Sequence, residues 1–127
     1  MFGNTKAFSG FSVDDLEAAK RFYGDVLGIE VEEANGLLTL QLDGGNRPTL
    51  IYPKDDHQPA SYTTLNFPVD DIDAAVDALV AKGVTFERYE GSPQDEKGVL
   101  RGKKLDMGPD IAWFTDPAGN ILAVLSG

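Results

Sequence analysis

Apolar and polar residues follow two rhythms along this chain, and the rhythms recur twice in the same order. Ile29-Glu30-Val31-Glu32-Glu33 alternates with a period of two, as a strand with one solvated face does. Leu37 to Leu42 returns from it across Asn35-Gly36, the strongest two-residue hairpin signal. Between Asp14 and Gly28, the residues Leu16, Ala19, Tyr23, Val26 and Leu27 fall at spacings of three and four, which predicts a helix that begins at Asp14 and stops at Gly28. Lys6 to Ser12 reads as the strand before it. Thr49 to Tyr52, after the turn Asp43-Gly44-Gly45-Asn46, is another, closed by Pro53. The first half is βαβββ.

The second half repeats this order. Tyr62 to Pro68 reads as a strand, followed by a helix from Asp71 to Lys82 with Ile72, Ala75, Leu79 and Val80 turned inward. Val84 to Tyr89 is the next strand, and Ile111 to Phe114 and Ile121 to Leu125 form a hairpin around Asp116-Pro117-Ala118-Gly119-Asn120. The repetition extends to the residues. Phe11-Ser12-Val13-Asp14-Asp15-Leu16-Glu17-Ala18-Ala19 returns as Phe67-Pro68-Val69-Asp70-Asp71-Ile72-Asp73-Ala74-Ala75, an offset of 56 (67 − 11) with six of nine positions identical. Each copy pairs an Asp N-cap with an acidic residue three positions on, Asp14 with Glu17 and Asp70 with Asp73, which suits the positive end of a helix dipole. Two copies of one unit are expected, module 1 at about 5–55 and module 2 at about 61–127, within a single domain.

From Gly91 to Pro109 the periodicity is lost. Gly91, Gly98, Gly102 and Gly108 give this stretch backbone freedom, so it is expected to act as a mobile cover. Lys97, Arg101, Lys103 and Lys104 make it locally basic. They are expected to meet an anionic group of a ligand, or to point to solvent if the ligand is cationic.

Composition narrows the chemistry. With 127 residues, 42% of them hydrophobic, the chain is the size of one domain with a real core. No apolar run approaches the roughly 20 residues that span a bilayer, and the N-terminus lacks a basic region followed by an apolar core, so a cytoplasmic protein is expected. The absence of cysteine excludes disulfides, thiolate nucleophiles and sulfur-ligated metals, and a single histidine excludes a site with two imidazoles in one subunit. A formal charge of −10 disfavours nucleic acid and anionic membrane surfaces, and favours a neutral or cationic small ligand.

The joint pattern resembles a known family. The helix starts Val13-Asp14-Asp15-Leu16 and Val69-Asp70-Asp71-Ile72, the helix end Phe22-Tyr23-Gly24-Asp25-Val26-Leu27-Gly28, and the closing Trp113-Phe114-Thr115-Asp116-Pro117-Ala118-Gly119-Asn120 are similar to those of the vicinal oxygen chelate superfamily. That superfamily includes glyoxalase I, extradiol dioxygenases, fosfomycin-resistance enzymes and bleomycin-resistance proteins. The resemblance covers the whole chain. It implies an α+β fold of two tandem βαβββ modules forming a curved, U-shaped mixed sheet with helices on the outer face, and a homodimer. In the enzymes it implies a divalent metal held by His, Glu or Gln from four strands. By register from the helix starts and from the Asp-Pro-x-Gly turn, those positions fall here on Phe8, Thr64, Ala123 and either Leu50 or Tyr52. None is a carboxylate or an imidazole, so no metal and no other cofactor is expected at that site.

His57, beside Asp55 and Asp56, reads as a solvated surface group rather than a ligand or a member of a Ser-His-Asp triad. Glu90, Asp95 and Glu96 are general acid or base candidates that solvated loop charge explains as well, and no catalytic residue is assigned. Two functions remain open. One is a binding protein resembling the bleomycin-resistance proteins, with a ligand cup lined by Phe8, Tyr52, Thr64, Asn66 and Trp113 or Phe114. The other is a glyoxalase- or dioxygenase-type enzyme, a lyase or oxidoreductase with a non-standard or metal-free site, which family analogy alone supports.

Overall fold

The computed structural model describes all 127 residues. It divides into two compact units, 1–58 and 59–127, each a four-stranded mixed sheet with one helix. The first unit contains β1 (Gly10–Val13), α1 (Leu16–Arg21), β2 (Val31–Ala34), β3 (Leu37–Leu42) and β4 (Arg47–Pro53). The second contains β5 (Thr63–Pro68), α2 (Ile72–Ala81), β6 (Leu100–Arg101), β7 (Asp110–Thr115) and β8 (Ile121–Ser126). The strand orders β1-β4-β3-β2 and β5-β8-β7-β6 are the same order of first, fourth, third and second strand. In each unit the first and last strands run parallel and the other pairs antiparallel, so the repeat read from the residues is a repeat of topology.

Alternation sorts each sheet into two faces. In the first unit Phe11, Val13, Leu38, Leu40, Thr49 and Ile51 are buried on the helix side, where Ala19 and Tyr23 of the helical segment meet them and Phe11 and Tyr23 lie 6.1 Å apart between ring centres. In the second, Ile72 and Val76 of α2 cover Ala112, Phe114, Leu122 and Val124. The inward stripe of α2 is therefore Ile72 and Val76, flanked by the half-buried Ala75 and Leu79. Val80, expected inside, falls on its flank and is 55% exposed.

Several boundaries differ from the sequence expectation. Both N-caps lie one residue later, at Asp15 and Asp71, because only from there does a carboxylate reach the backbone N–H three residues on, at 3.1 Å from Ala18 and Ala74 respectively. Helix α1 is short and passes into a π turn over Phe22–Val26, where the Leu27 N–H donates to the Phe22 carbonyl. Strand β1 starts at Gly10 rather than Lys6. The hairpin at Asn35-Gly36 is as expected, with φ of 56° and 75° at its two corner residues.

The largest difference is the edge of the second sheet. Val84 to Tyr89 does not form a full strand: Phe86 bridges Phe114, and the Glu87 N–H donates to the Trp113 carbonyl at 2.8 Å. Continued in that register, position 89 would face Ile111. Leu100 faces it instead, 11 positions later (100 − 89). One edge strand is thus built from two pieces, with an excursion inserted between them. Gln94 holds the excursion in shape, its Nε2 donating to the Glu87 and Gly98 carbonyls and its Oε1 accepting from the Tyr89 N–H.

Candidate functional site

The helix-free face of the second sheet gathers the chemistry. Pairing places Asn66 of β5 opposite Ala123 of β8, and Ala123 opposite Trp113 of β7, while Glu87 follows Trp113 at the edge. These four residues form one rung across the sheet. Ala123, itself wholly buried, stands between the amide of Asn66 and the indole. Tyr89 stands against Trp113 with ring centres 5.5 Å apart and planes at 73°, and the indole N–H donates to Thr63 Oγ1 at 3.2 Å. Thr115 lies one step along the same face, its hydroxyl 3.5 Å from Glu87 Oε1. The Tyr89 phenol is pushed up from its ordinary range by burial and by the Glu87 charge, so it remains a neutral hydrogen-bonding group at physiological pH.

The first unit has an equivalent rung, Gly10–Leu50–Thr39–Glu32. Gly10 and Asn66 are separated by the repeat offset of 56 (66 − 10), so Leu50 rather than Tyr52 is the counterpart of Ala123. Of the residues expected to line a cup, Asn66 and Trp113 thus share one rung. Thr64 sits at a register shift in β5, and its hydroxyl donates to the Ile121 carbonyl at 3.1 Å. Phe114 is a correction: alternation sends it to the opposite face from Trp113, where it is 1% exposed and packs on Phe86 at 5.5 Å. Tyr52 is on the helix-free face of the first unit beside Ser12, and Phe8 precedes β1 with 65% of its surface exposed.

At the positions where the resemblance implies metal ligands stand Phe8, Leu50, Thr64 and Ala123, which offer one neutral hydroxyl among them. No group of three or more His, Asp or Glu side chains is arranged to hold a metal ion. This donor set does not fit a divalent cation, which needs several oxygen or nitrogen ligands.

His57 is a second correction. It is half-buried, and its Nδ1 lies 2.6 Å from Ser12 Oγ. Nothing in the local sequence signals a contact between residues so far apart. Glu87, Tyr89 and Thr63 were also missed as face residues; alternation along Val84 to Tyr89 puts the first two on one side, opposite Phe86, but only the pairing with β7 brings them to Trp113.

The basic stretch does not stand ready for a ligand anion. Arg101 donates to both carboxylate oxygens of Asp73, at 2.8 and 3.0 Å, and to Asp95 at 2.9 Å. Lys97 is 2.9 Å from Asp73 and 3.0 Å from Asp77. Hydrogen bonds from Arg101 and then Lys97 hold the Asp73 carboxyl far below the usual carboxylate range. Two of the expected cluster's cations are therefore bound to α2, on the helix-covered side of the sheet. A groove of about 390 Å³ lies there too, floored by Val76, Val80, Val84 and Phe86 and rimmed by Asp77, Arg88 and Lys97.

Among solved structures, the glyoxalase family protein from Enterococcus faecalis is 24% identical to this chain, with a TM-score of 0.69 over 98% of this chain and 99% of that one. TnmS3, an antibiotic binding protein from Streptomyces sp. CB03234, is 22% identical, with a TM-score of 0.65 over 97% of each chain. The fosfomycin resistance protein FosX from Mesorhizobium loti is 15% identical, with a TM-score of 0.65 over 100% of this chain and 94% of that one. At these identities the likeness carries the fold. No curated protein matches the chain in sequence. No helix is long and apolar enough to cross a membrane. The sequence profile of the Glyoxalase/Bleomycin resistance protein/Dioxygenase superfamily matches residues 8–124, nearly the whole length, and the chain belongs to that superfamily.

Proposed function

We propose that this chain binds a small organic ligand, neutral or cationic, on the helix-free face of its second sheet, without a metal ion at the superfamily's ligand positions. The observation that carries the reading is the rung Asn66–Ala123–Trp113–Glu87 with Tyr89 edge-on to the indole. Two aromatic rings beside a carboxylate favour a cation by π attraction and by charge, worth about 0.5–2 kcal/mol for the ring contribution. Asn66 offers a donor and an acceptor to orient a polar group. The neutral donor set at Phe8, Leu50, Thr64 and Ala123 supports the metal-free part, and the antibiotic binding protein among the similar folds supports a carrier role. The two units are read as modules of one domain in a cytoplasmic homodimer.

Trp113 is the only tryptophan, so its fluorescence reports the site directly. Titration with bleomycin as a cationic probe, a neutral aromatic amide and fosfomycin as an anionic probe should give saturable quenching with the cationic or neutral compounds. Glu87→Gln should weaken a cationic ligand by about 10-fold, consistent with the loss of one charged contact. Preference for the anion, or no quenching by any of the three, would overturn the reading. Elemental analysis of protein purified without chelator should find no stoichiometric divalent metal, and light scattering should give twice the 13.7 kDa chain mass.

A further inference from the structure

The first unit holds a pair of groups that this ligand reading does not use. Ser12 and His57 are 45 residues apart in sequence, yet Ser12 Oγ lies 2.6 Å from His57 Nδ1. Both partners are fixed by main chain rather than by chance approach of loose side chains. Ser12 is held in β1 by the parallel ladder to β4, opposite Tyr52. The segment leading to His57 continues that ladder, since the Lys54 N–H donates to the Val13 carbonyl at 2.9 Å and the His57 N–H to the Lys54 carbonyl at 3.1 Å. Ser12 alternates with the buried Phe11 and Val13, so its hydroxyl is on the helix-free face, and Ser12 and His57 are both half-buried and within reach of a small molecule.

A hydroxyl at this distance from an imidazole nitrogen is the arrangement that turns serine into a nucleophile. With the ring proton on Nε2, Nδ1 accepts the Ser12 hydroxyl hydrogen and is placed to take it. Leu50 and Tyr52 follow one another outward on the same face of β4, an apolar and aromatic strip beside the hydroxyl. We propose that Ser12 is an activated nucleophile with His57 as its general base, and that this face accepts acyl groups from aryl esters. Serine Oγ bonds to the acyl carbon as its proton passes to Nδ1. The bond from acyl carbon to aryl oxygen breaks, and the proton returns from Nδ1 to the departing oxygen, leaving a phenol and an acyl-serine. Water then attacks the acyl carbon, gives its proton to Nδ1 and releases the acid as Oγ takes that proton back. An aryl ester suits the pair better than an amide, because a phenol leaves readily with no more help than one proton.

The inference stands on the first unit alone, and the test separates it from the ligand reading. Whole protein is incubated with p-nitrophenyl acetate, release of p-nitrophenol is followed, and the acylated residue is located by peptide mass spectrometry. The expected result is acetyl on Ser12, absent in Ser12→Ala, with His57→Gln slowing acylation by about 100-fold, the usual scale for loss of a general base. Circular dichroism of both variants confirms that the fold is retained, and His57 in an exterior turn is the variant less exposed to folding loss. Acetyl found only on lysines or on Tyr52, p-nitrophenol release unchanged in Ser12→Ala, or a rate in His57→Gln equal to that of the parent would each overturn the proposal, whatever the outcome of the Trp113 titrations.

Discussion

Arg101 and Asp73 form a two-pronged ion pair, Nη2 to Oδ1 at 2.8 Å and Nη1 to Oδ2 at 3.0 Å, which ties the inserted edge piece β6 to the first turn of α2. The same guanidinium reaches Asp95 inside the excursion, so one side chain joins helix, edge strand and insertion. Planar guanidinium matches carboxylate in a way that lysine cannot, and Arg101→Lys should keep the charge while losing the fork.

The pair predicts an acid-sensitive stability. The folded carboxyl of Asp73 titrates below its ordinary 3.8, so the contribution is fully present above that value and fades as pH falls through it toward the lower folded value. Asp73→Asn should therefore flatten the loss of stability on acidification, measured by urea unfolding at several pH values. Asp73 and Arg101 keep 47% and 29% of their side-chain exposure, so water screens the pair and Arg101→Ala should cost only about 1 kcal/mol at neutral pH.

Gln94 should matter locally more than globally. Gln94→Ala would leave the Glu87 and Gly98 carbonyls and the Tyr89 N–H without this amide, a penalty of about 1–3 kcal/mol confined to the excursion. Amide exchange at Tyr89 is expected to accelerate by at least tenfold while exchange in β8 is unchanged.

Gly102 is buried where the chain turns back from β6. A Cβ there would stand 2.2 Å from the Pro109 carbonyl oxygen and 2.8 Å from that of Gly108, both backbone atoms with no rotamer to escape through. Gly102→Ala should destabilise by roughly 1–3 kcal/mol, visible as a lowered thermal midpoint.

The turn before β8 hangs on one carboxylate. Asp116 Oδ1 accepts from the Ala118 and Asn120 N–H groups, each at 2.9 Å, and Oδ2 accepts from Asn120 Nδ2 at 3.0 Å, with both residues almost wholly buried. Asp116→Ala should cost about 2–3 kcal/mol in chemical denaturation, since it strands donors inside the protein, and Asp116→Asn should cost less because one oxygen remains.

Element order and the duplication are legible in the chain, and so are the element types except at the edge of the second sheet, where Val84 to Tyr89 gives way to Leu100–Arg101. Those are written in short-range periodicity, in Asn35-Gly36 and in the doubled acidic helix start, each of which acts within a few residues of where it stands. Even there, the cap moved by one residue, because reach to a backbone N–H depends on the angle at which the chain enters the helix. The tertiary structure alone decided which face Trp113 and Phe114 took, where the edge strand of the second sheet was interrupted, and that Ser12 and His57 meet. Trp113 and Phe114 are adjacent and both aromatic, so their separation depends on the register of β7 against β8, and a shift of one residue would exchange them. Leu100 takes the place opposite Ile111 that position 89 would hold, because Gln94 and Asp95 satisfy the excursion's own main chain. The Ser12–His57 contact follows from the parallel ladder of β1 on β4, a pairing between distant segments that no local pattern encodes.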